Sequence, residues 1–180
     1  AMSRRQRQMC IRDRAMQAGA RQVVIATDDS RIADEMTARG AQVAMTRGDH
    51  TSGTDRLAEV VDQLTWPDDT VIVNLQGDEP LMPLENIQRV AAMLAETSSA
   101  DIATLMEPLD RAVADEPSIV KVVANKAGRA QYFSRAAIPA HVAGTEAAPM
   151  FRHVGLYAYR AGFLRQFVTW PPASLELSES

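Results

Sequence analysis

Two neighbouring carboxylates, Asp78 and Glu79, close the segment Thr70-Val71-Ile72-Val73-Asn74-Leu75-Gln76-Gly77-Asp78-Glu79-Pro80. The β-branched run before them reads as a buried strand, and open α/β sheets bind ligands just beyond the carboxyl ends of their strands. Gly77 lets backbone approach a ligand closely, with Gln76 beside it, and Asp78 offers the hard oxygen that Mg²⁺ takes alongside substrate phosphates. A plain strand-to-helix turn with acids at a helix N-terminus is the alternative reading. A second candidate, Arg47-Gly48-Asp49-His50-Thr51-Ser52-Gly53-Thr54-Asp55-Arg56, sets Ser52, Gly53 and Arg56 at the start of a predicted helix. Small residues and a guanidinium at a helix N-terminus suit a nucleotide's base edge, ribose or phosphate; a capping box explains the same spacing. A third joins Arg135, ending Tyr132-Phe133-Ser134-Arg135, to His153 and Tyr157 in Arg152-His153-Val154-Gly155-Leu156-Tyr157. Arg135 can grip a carboxylate in bidentate geometry, and residues four apart in a strand share a face. A packed, tyrosine-rich sheet with an arginine at its rim fits these residues too. Lys121, within Ile119-Val120-Lys121-Val122-Val123, reads as a solvated lysine on the open face of a strand.

Other chemistries lack support. The sequence contains no G-x-x-x-x-G-K-[ST], G-x-G-x-x-G or G-x-S-x-G, and His50, His141 and His153 form no close metal-ligand pair. Cys10 is the single cysteine, which excludes a disulfide framework and a multi-thiolate zinc site. The 180 residues are 46% hydrophobic and 23% charged, with no apolar run of membrane-spanning length and no signal-peptide pattern, so a cytoplasmic protein is expected. Net charge is -4, yet five arginines against Asp13 make residues 1–14 +4, leaving -8 for residues 15–180. An acidic body argues against non-specific nucleic-acid binding, which needs cations to displace phosphate counterions. The arginine-rich head, with no apolar period and no cap, reads as a non-native or disordered segment before a single domain over 15–180.

The elements that must position these residues follow from periodicity. Strands are expected at Gln22–Thr27, Gln42–Thr46 and Thr70–Leu75, the last the most apolar and expected at the centre of the sheet. Helices follow each: one capped by Asp28, Asp29 or Ser30 and closed by Gly40, one over Thr54–Leu64, and one over 83–96 with proline in its first turn. The second half predicts a strand at Asp101–Glu107, a hairpin of Ile119–Asn125 with Arg129–Ser134, a strand at His153–Tyr159 and a helix at Arg160–Val168. This alternation predicts an α/β fold, a doubly wound and mostly parallel sheet with an antiparallel hairpin excursion.

Seven blocks, V-V-I-A-T-D-D, T-R-x-D-H-x-S-G-T-D-R-L-A-E, V-N-x-Q-G-D-E-P, K-V-V, Y-F-S-R-x-x-I-P, R-H-x-G-x-Y-x-Y-R and W-P-P-x-x-L-E, occur in one order between Arg14 and Glu176. Their succession closely resembles the 3-deoxy-D-manno-octulosonate (KDO) cytidylyltransferase family, a nucleotide-diphospho-sugar-transferase-like fold. The resemblance implies attack of the KDO anomeric hydroxyl on the α-phosphorus of CTP with Mg²⁺ present. CMP-KDO and pyrophosphate result, the former for lipopolysaccharide biosynthesis. It implies Asp78 as the metal-binding and catalytic aspartate, and Ser52, Gly53, Arg56, Gln76 and Gly77 as the nucleotide side. Arg135, His153 and Tyr157 are implied to hold KDO, with Arg135 on its carboxylate. CTP and KDO are the implied substrates, with a homodimer and no nucleic-acid or membrane partner. A CMP-sialate synthetase-like cytidylyltransferase, or a non-catalytic nucleotide-binding or assembly module, is the alternative.

The family's opening I-P-A-R-x-x-S-T-R-x-P-G-K loop, whose arginine and lysine bind the triphosphate, has no counterpart here. Nor do its L-E-Q-L-R and V-D-T-P-x-D-L segments, the latter with a second metal aspartate, so the domain is expected to be incomplete at both ends. The purified 180-residue chain is therefore expected to release little or no pyrophosphate from CTP and KDO. A robust, Mg²⁺-dependent rate in a coupled phosphate assay would overturn that expectation.

Overall fold

The computed structural model describes residues 4–77, 79–141, 144, 146–174 and 177. The chain forms two compact units, one of residues 1–103 and 156–171, the other of 104–155 and 172–180. In the first, α1 (Arg4–Gln17) precedes β1 (Val24–Thr27), α2 (Ser30–Ala38), β2 (Gln42–Met45), α3 (Gly53–Gln63), β3 (Val71–Asn74) and α4 (Leu84–Glu96). Residues 4–17, which the sequence pattern assigns in large part to a head outside the domain, are thus helical.

Local chemistry sets these boundaries. The Asp29 carboxylate accepts the Arg31 amide at 2.9 Å and opens α2. Gly40, at φ +73°, closes it in the left-handed conformation, and the Ala41 amide donates back to Met36 at 2.9 Å. Ile32 and Met36, one turn apart, pack with Ala41 against Ile25 and Val43. The strands they cover, β1 and β2, run parallel with Val24 opposite Gln42 and Thr27 opposite Met45. Ile87, Val90 and Leu94 form the buried stripe of α4. Each fully buried side chain of this size contributes about 1.5–3 kcal/mol.

The chain re-enters this unit at the end of β7 (Met150–Arg160) and finishes it with α5 (Ala161–Phe167). β7 pairs antiparallel with β3, Val71 opposite Arg160 and Asn74 opposite Tyr157. Val61 of α3, Ile72, Tyr159, Ala161 and Leu164 make one core cluster. Arg160 then donates from Nη2 to the carbonyls of Leu94 at 2.9 Å and Thr97 at 3.3 Å, and from Nε to Ala100 at 3.1 Å. These acceptors lie at and just past the end of α4, where helical carbonyls lack amide partners. The sequence predicts β3 at the sheet centre, but the only partner described for it is β7. Residues 71–75 and 22–28 line a common cavity of about 1710 Å³. An apolar strand signals burial, and here α4 and the core cluster around Ile72 supply it in place of a second neighbouring strand.

The second unit carries β4 (Ile102–Leu109), a 3-10 turn at Arg111–Val113, β5 (Lys121–Ala124), β6 (Ala130–Ser134) and the beginning of β7. β5 and β6 form the expected hairpin, Lys121 opposite Ser134. Asn125 closes the turn, its side-chain oxygen accepting the Ala127 and Arg129 amides at 3.0 Å each. On the other side of β5, Lys121 lies opposite Arg152 of β7. Lys121 is completely buried, which corrects the expectation of a solvated lysine. Val122, its neighbour on the opposite face, is buried too, so β5 has no open face for the lysine to occupy.

Gly162 in α5 marks the tightest approach in the first unit. A Cβ there would meet Cβ and Cγ of Asp68 at 2.8 and 2.9 Å. The Gly162 amide already donates to the Asp68 carbonyl at 3.0 Å. Gly162→Ala should therefore cost about 1–2 kcal/mol net, because overpacking outweighs the small helix-propensity gain in the first turn of α5. The urea midpoint measures the difference; an unchanged or higher midpoint would refute the close packing.

Candidate active site

In the first unit, the predicted nucleotide-side residues gather beyond the carboxyl ends of β1 and β2. Ser52 caps α3: its hydroxyl accepts the Asp55 amide at 3.1 Å, and the Asp55 carboxylate accepts the Ser52 amide at 3.0 Å. That reciprocal box, with the Thr51 hydroxyl donating to Asp55 at 2.9 Å, fixes the turn. The hydrogen bond from Ser52 is the main reason the Asp55 carboxyl sits below its ordinary range. One turn into α3, Arg56 places Nη2 3.4 Å from the Asp28 carboxylate after β1 and donates from Nη1 to the Thr46 hydroxyl after β2. The guanidinium thus spans two strand ends. Gly48 passes close by, since a Cβ there would stand 3.4 Å from Asp28 Oδ2.

Glu59, which the sequence did not single out, organises the rest of this loop. Its carboxylate accepts the Arg47 amide at 3.0 Å, the Gln63 side chain at 2.9 Å and His50 Nε2. The His50 hydrogen bond chiefly holds the Glu59 carboxyl below the usual range. Only the i, i+4 placement of Glu59 and Gln63 hinted at such a role.

Gln76 and Gly77 follow β3 on an exposed turn in which the Glu79 amide donates to the Gln76 carbonyl at 3.2 Å. Space around Gly77 is open: an added Cβ would meet nothing within 4 Å. Gly53, Arg56, Gln76 and Gly77 line the same cavity as Asp28; Ser52 does not. Asp78 lies outside the described residues. Among the described residues no three His, Cys, Asp or Glu side chains gather as a metal site.

The predicted sugar-side residues divide between the units. Arg135 and His153 belong to the second, Tyr157 to the first. Arg135, just past β6, is exposed and donates from Nη1 to the Pro117 carbonyl at 2.9 Å. His153 on β7 donates its amide to the Val120 carbonyl at 2.8 Å, which ties it to the segment entering β5. Its ring packs edge-on to Phe133, centroids 5.0 Å apart. Nε2 lies 2.8 Å from the Thr104 hydroxyl, which itself donates to the Val154 carbonyl at 3.2 Å. Burial pushes the His153 pKa down, favouring the neutral ring. Tyr157 stacks on Tyr159, centroids 5.8 Å apart, and burial raises its phenol. Thr104 and Glu107, which pairs with Arg152, carried no motif signal, because cross-strand partners are set by register.

The first unit offers a glycine-bearing helix entrance with a fixed guanidinium and an open turn at Gln76 and Gly77; the second carries an exposed arginine at the end of β6 and a half-buried histidine on β7. The model of the cytidylyltransferase family matches residues 9–180. The 3-deoxy-manno-octulosonate cytidylyltransferase of Hahella chejuensis is 50% identical over 177 residues, 93% of this chain and 69% of that protein. That of Yersinia enterocolitica is 48% identical over 176 residues, 94% of this chain and 70% of its own length. A solved structure of CMP:2-keto-3-deoxy-manno-octonic acid synthetase complexed with CTP superposes with a TM-score of 0.89 at 38% identity, covering 97% of this chain and 71% of that one. On the strength of these matches and of the α/β frame that carries them, the chain belongs to the cytidylyltransferase family and, within it, to the 3-deoxy-manno-octulosonate cytidylyltransferases.

Proposed function

We propose that this chain is built to transfer the cytidylyl group of CTP to KDO. A bond forms from the sugar's anomeric oxygen to the α-phosphorus, and the α-phosphorus–oxygen bond to the leaving pyrophosphate breaks. The product, CMP-KDO, serves lipopolysaccharide biosynthesis. The observation that carries this reading is the convergence of Gly53, Arg56, Gln76 and Gly77 on one cavity at the strand carboxyl ends. The family supplies the substrates; the geometry supplies a place for the nucleotide among this chain's own residues.

Transfer of this kind depends on positioning and on neutralising charge over the phosphates. Arg56, held between Asp28 and Thr46, brings a fixed guanidinium to the nucleotide side. Ser52 and Gly53 open α3, whose N-terminal amides favour an anionic group. Magnesium fits the donor chemistry, because it accepts one or two carboxylates and completes its shell with phosphate oxygens and water. Asp78 would hold it beside Gln76 and Gly77, and the ion would neutralise charge on the triphosphate. On the sugar side, Arg135 takes the KDO carboxylate and His153 a hydroxyl. The reaction belongs in the cytoplasm, where CTP is made; no helix among the described residues is long and apolar enough to cross a membrane. A homodimer is the assembly that the family suggests.

Calorimetric titration tests the assignment. The purified chain should bind CTP in a Mg²⁺-dependent manner and bind KDO independently. Arg56→Ala should weaken CTP about tenfold and Arg135→Ala should weaken KDO about tenfold, the worth of one charged hydrogen bond of ~1.4 kcal/mol. Asp78→Asn should leave a folded protein whose CTP affinity no longer responds to Mg²⁺. Absence of binding by the unsubstituted chain, or loss of both ligands in either arginine variant, would overturn the assignment.

A further inference from the structure

Lys121 is one of only two lysines in the chain, and it is fully buried. Its Nζ donates to the carbonyls of Ile119 at 2.7 Å, Glu116 at 3.2 Å and Arg135. An ammonium has three protons, and three carbonyls accept them. Among the described residues no carboxylate pairs with it, so carbonyl dipoles alone compensate a charge whose burial costs several kcal/mol. A methionine or leucine would fill the same space without that cost. What the ammonium adds is the connection between its three acceptors.

Those acceptors have a common feature. Glu116 and Ile119 flank Pro117, and the Pro117 carbonyl receives the Arg135 guanidinium at 2.9 Å. The third acceptor is the carbonyl of Arg135 itself. Lys121 therefore holds the backbone from which Arg135 projects and both sides of the carbonyl on which its guanidinium rests. The Ile119 amide, donating to Glu116 at 3.1 Å, completes the small frame. Register supports the same role, because Lys121 lies opposite Ser134, the residue before Arg135.

We infer that Lys121 is a positioning residue for the sugar acid, acting through Arg135 by fixing both ends of that side chain's seat. The inference rests on the proposed reading of Arg135 as the carboxylate partner. Lys121 itself touches no ligand: its Nζ is spent on three carbonyls inside the unit, which also removes it as a phosphate-binding lysine.

The test compares Lys121→Met, Arg135→Ala and the double variant in calorimetric titrations with KDO and with CTP, after circular dichroism confirms folding. Lys121→Met should weaken KDO by about three- to tenfold, at most the loss that Arg135→Ala itself causes, and leave CTP within about twofold. In the Arg135→Ala background the same substitution should change KDO affinity little, since the group it positions is gone. If Arg135→Ala weakens KDO and Lys121→Met does not, the positioning role is wrong. It is equally wrong if the Lys121→Met loss persists undiminished in the double variant, or falls equally on CTP. If Arg135→Ala leaves KDO binding intact, the reading of Arg135 fails and the inference with it. Should Lys121→Met not fold, Lys121→Gln, which retains a donor, takes its place and should give a smaller, still KDO-selective loss.

Discussion

Backbone carbonyls at helix ends and in irregular segments keep lone pairs that regular amide ladders do not fill, and in both units a cationic side chain answers them. Arg160 spans the carbonyls at and beyond the end of α4. Arg165 does the same where α3 runs into the Trp66 loop, donating to Trp66 at 2.8 Å and Val61 at 3.5 Å. Arg14 of α1 reaches the Met82 carbonyl at 3.2 Å. In the second unit the donors are Lys121, Arg135 and Arg111, the last to Ala148 at 2.8 Å. A planar guanidinium offers five hydrogens in a fixed fork and can serve several carbonyls at once. Seventeen arginines in a chain of net charge -4 are thus partly a structural complement of its irregular backbone. Substituting lysine at Arg160 would keep the charge and lose the span.

The two regions proposed to face ligands are built by different means. The region proposed for the nucleotide uses the entrance of a helix, where the capping box has already shaped the turn. Its guanidinium is held by two neighbours from separate strands, so its position derives from the parallel pairing of β1 with β2. The region proposed for the sugar is built on antiparallel pairing, where register decides which residues flank β5. A one-residue slip there would move Lys121 to the opposite face and dismantle the seat of Arg135.

Much of this is legible in the residues. The stripes of α3 and α4, the cap at Ser52, the Gly40 stop and the hairpin at Asn125 each rest on local rules, and each stands where those rules put it. The convergence of Arg56 with Gln76 and Gly77 is not readable from spacing, because it depends on how strands separated by about twenty-five residues come together. Family resemblance, not periodicity, joins them in advance. Lys121 is misread because alternation shows which residues share a face and not whether something covers that face. β3 is misplaced for a related reason: apolar composition reports burial without saying which edge of the strand is hydrogen-bonded. Glu59 carries only the faint i, i+4 signal with Gln63, and Thr104 none, since its partner is fixed by register.

The Thr104–His153 pairing bears on how the second unit responds to its surroundings. The ring is held in one orientation, its Nε2 against the Thr104 hydroxyl of β4 and its face edge-on to Phe133 of β6. Acquiring a second proton would place a full charge where burial already disfavours it. The pairing therefore serves the second unit as a fixed, neutral join between β4 and β7.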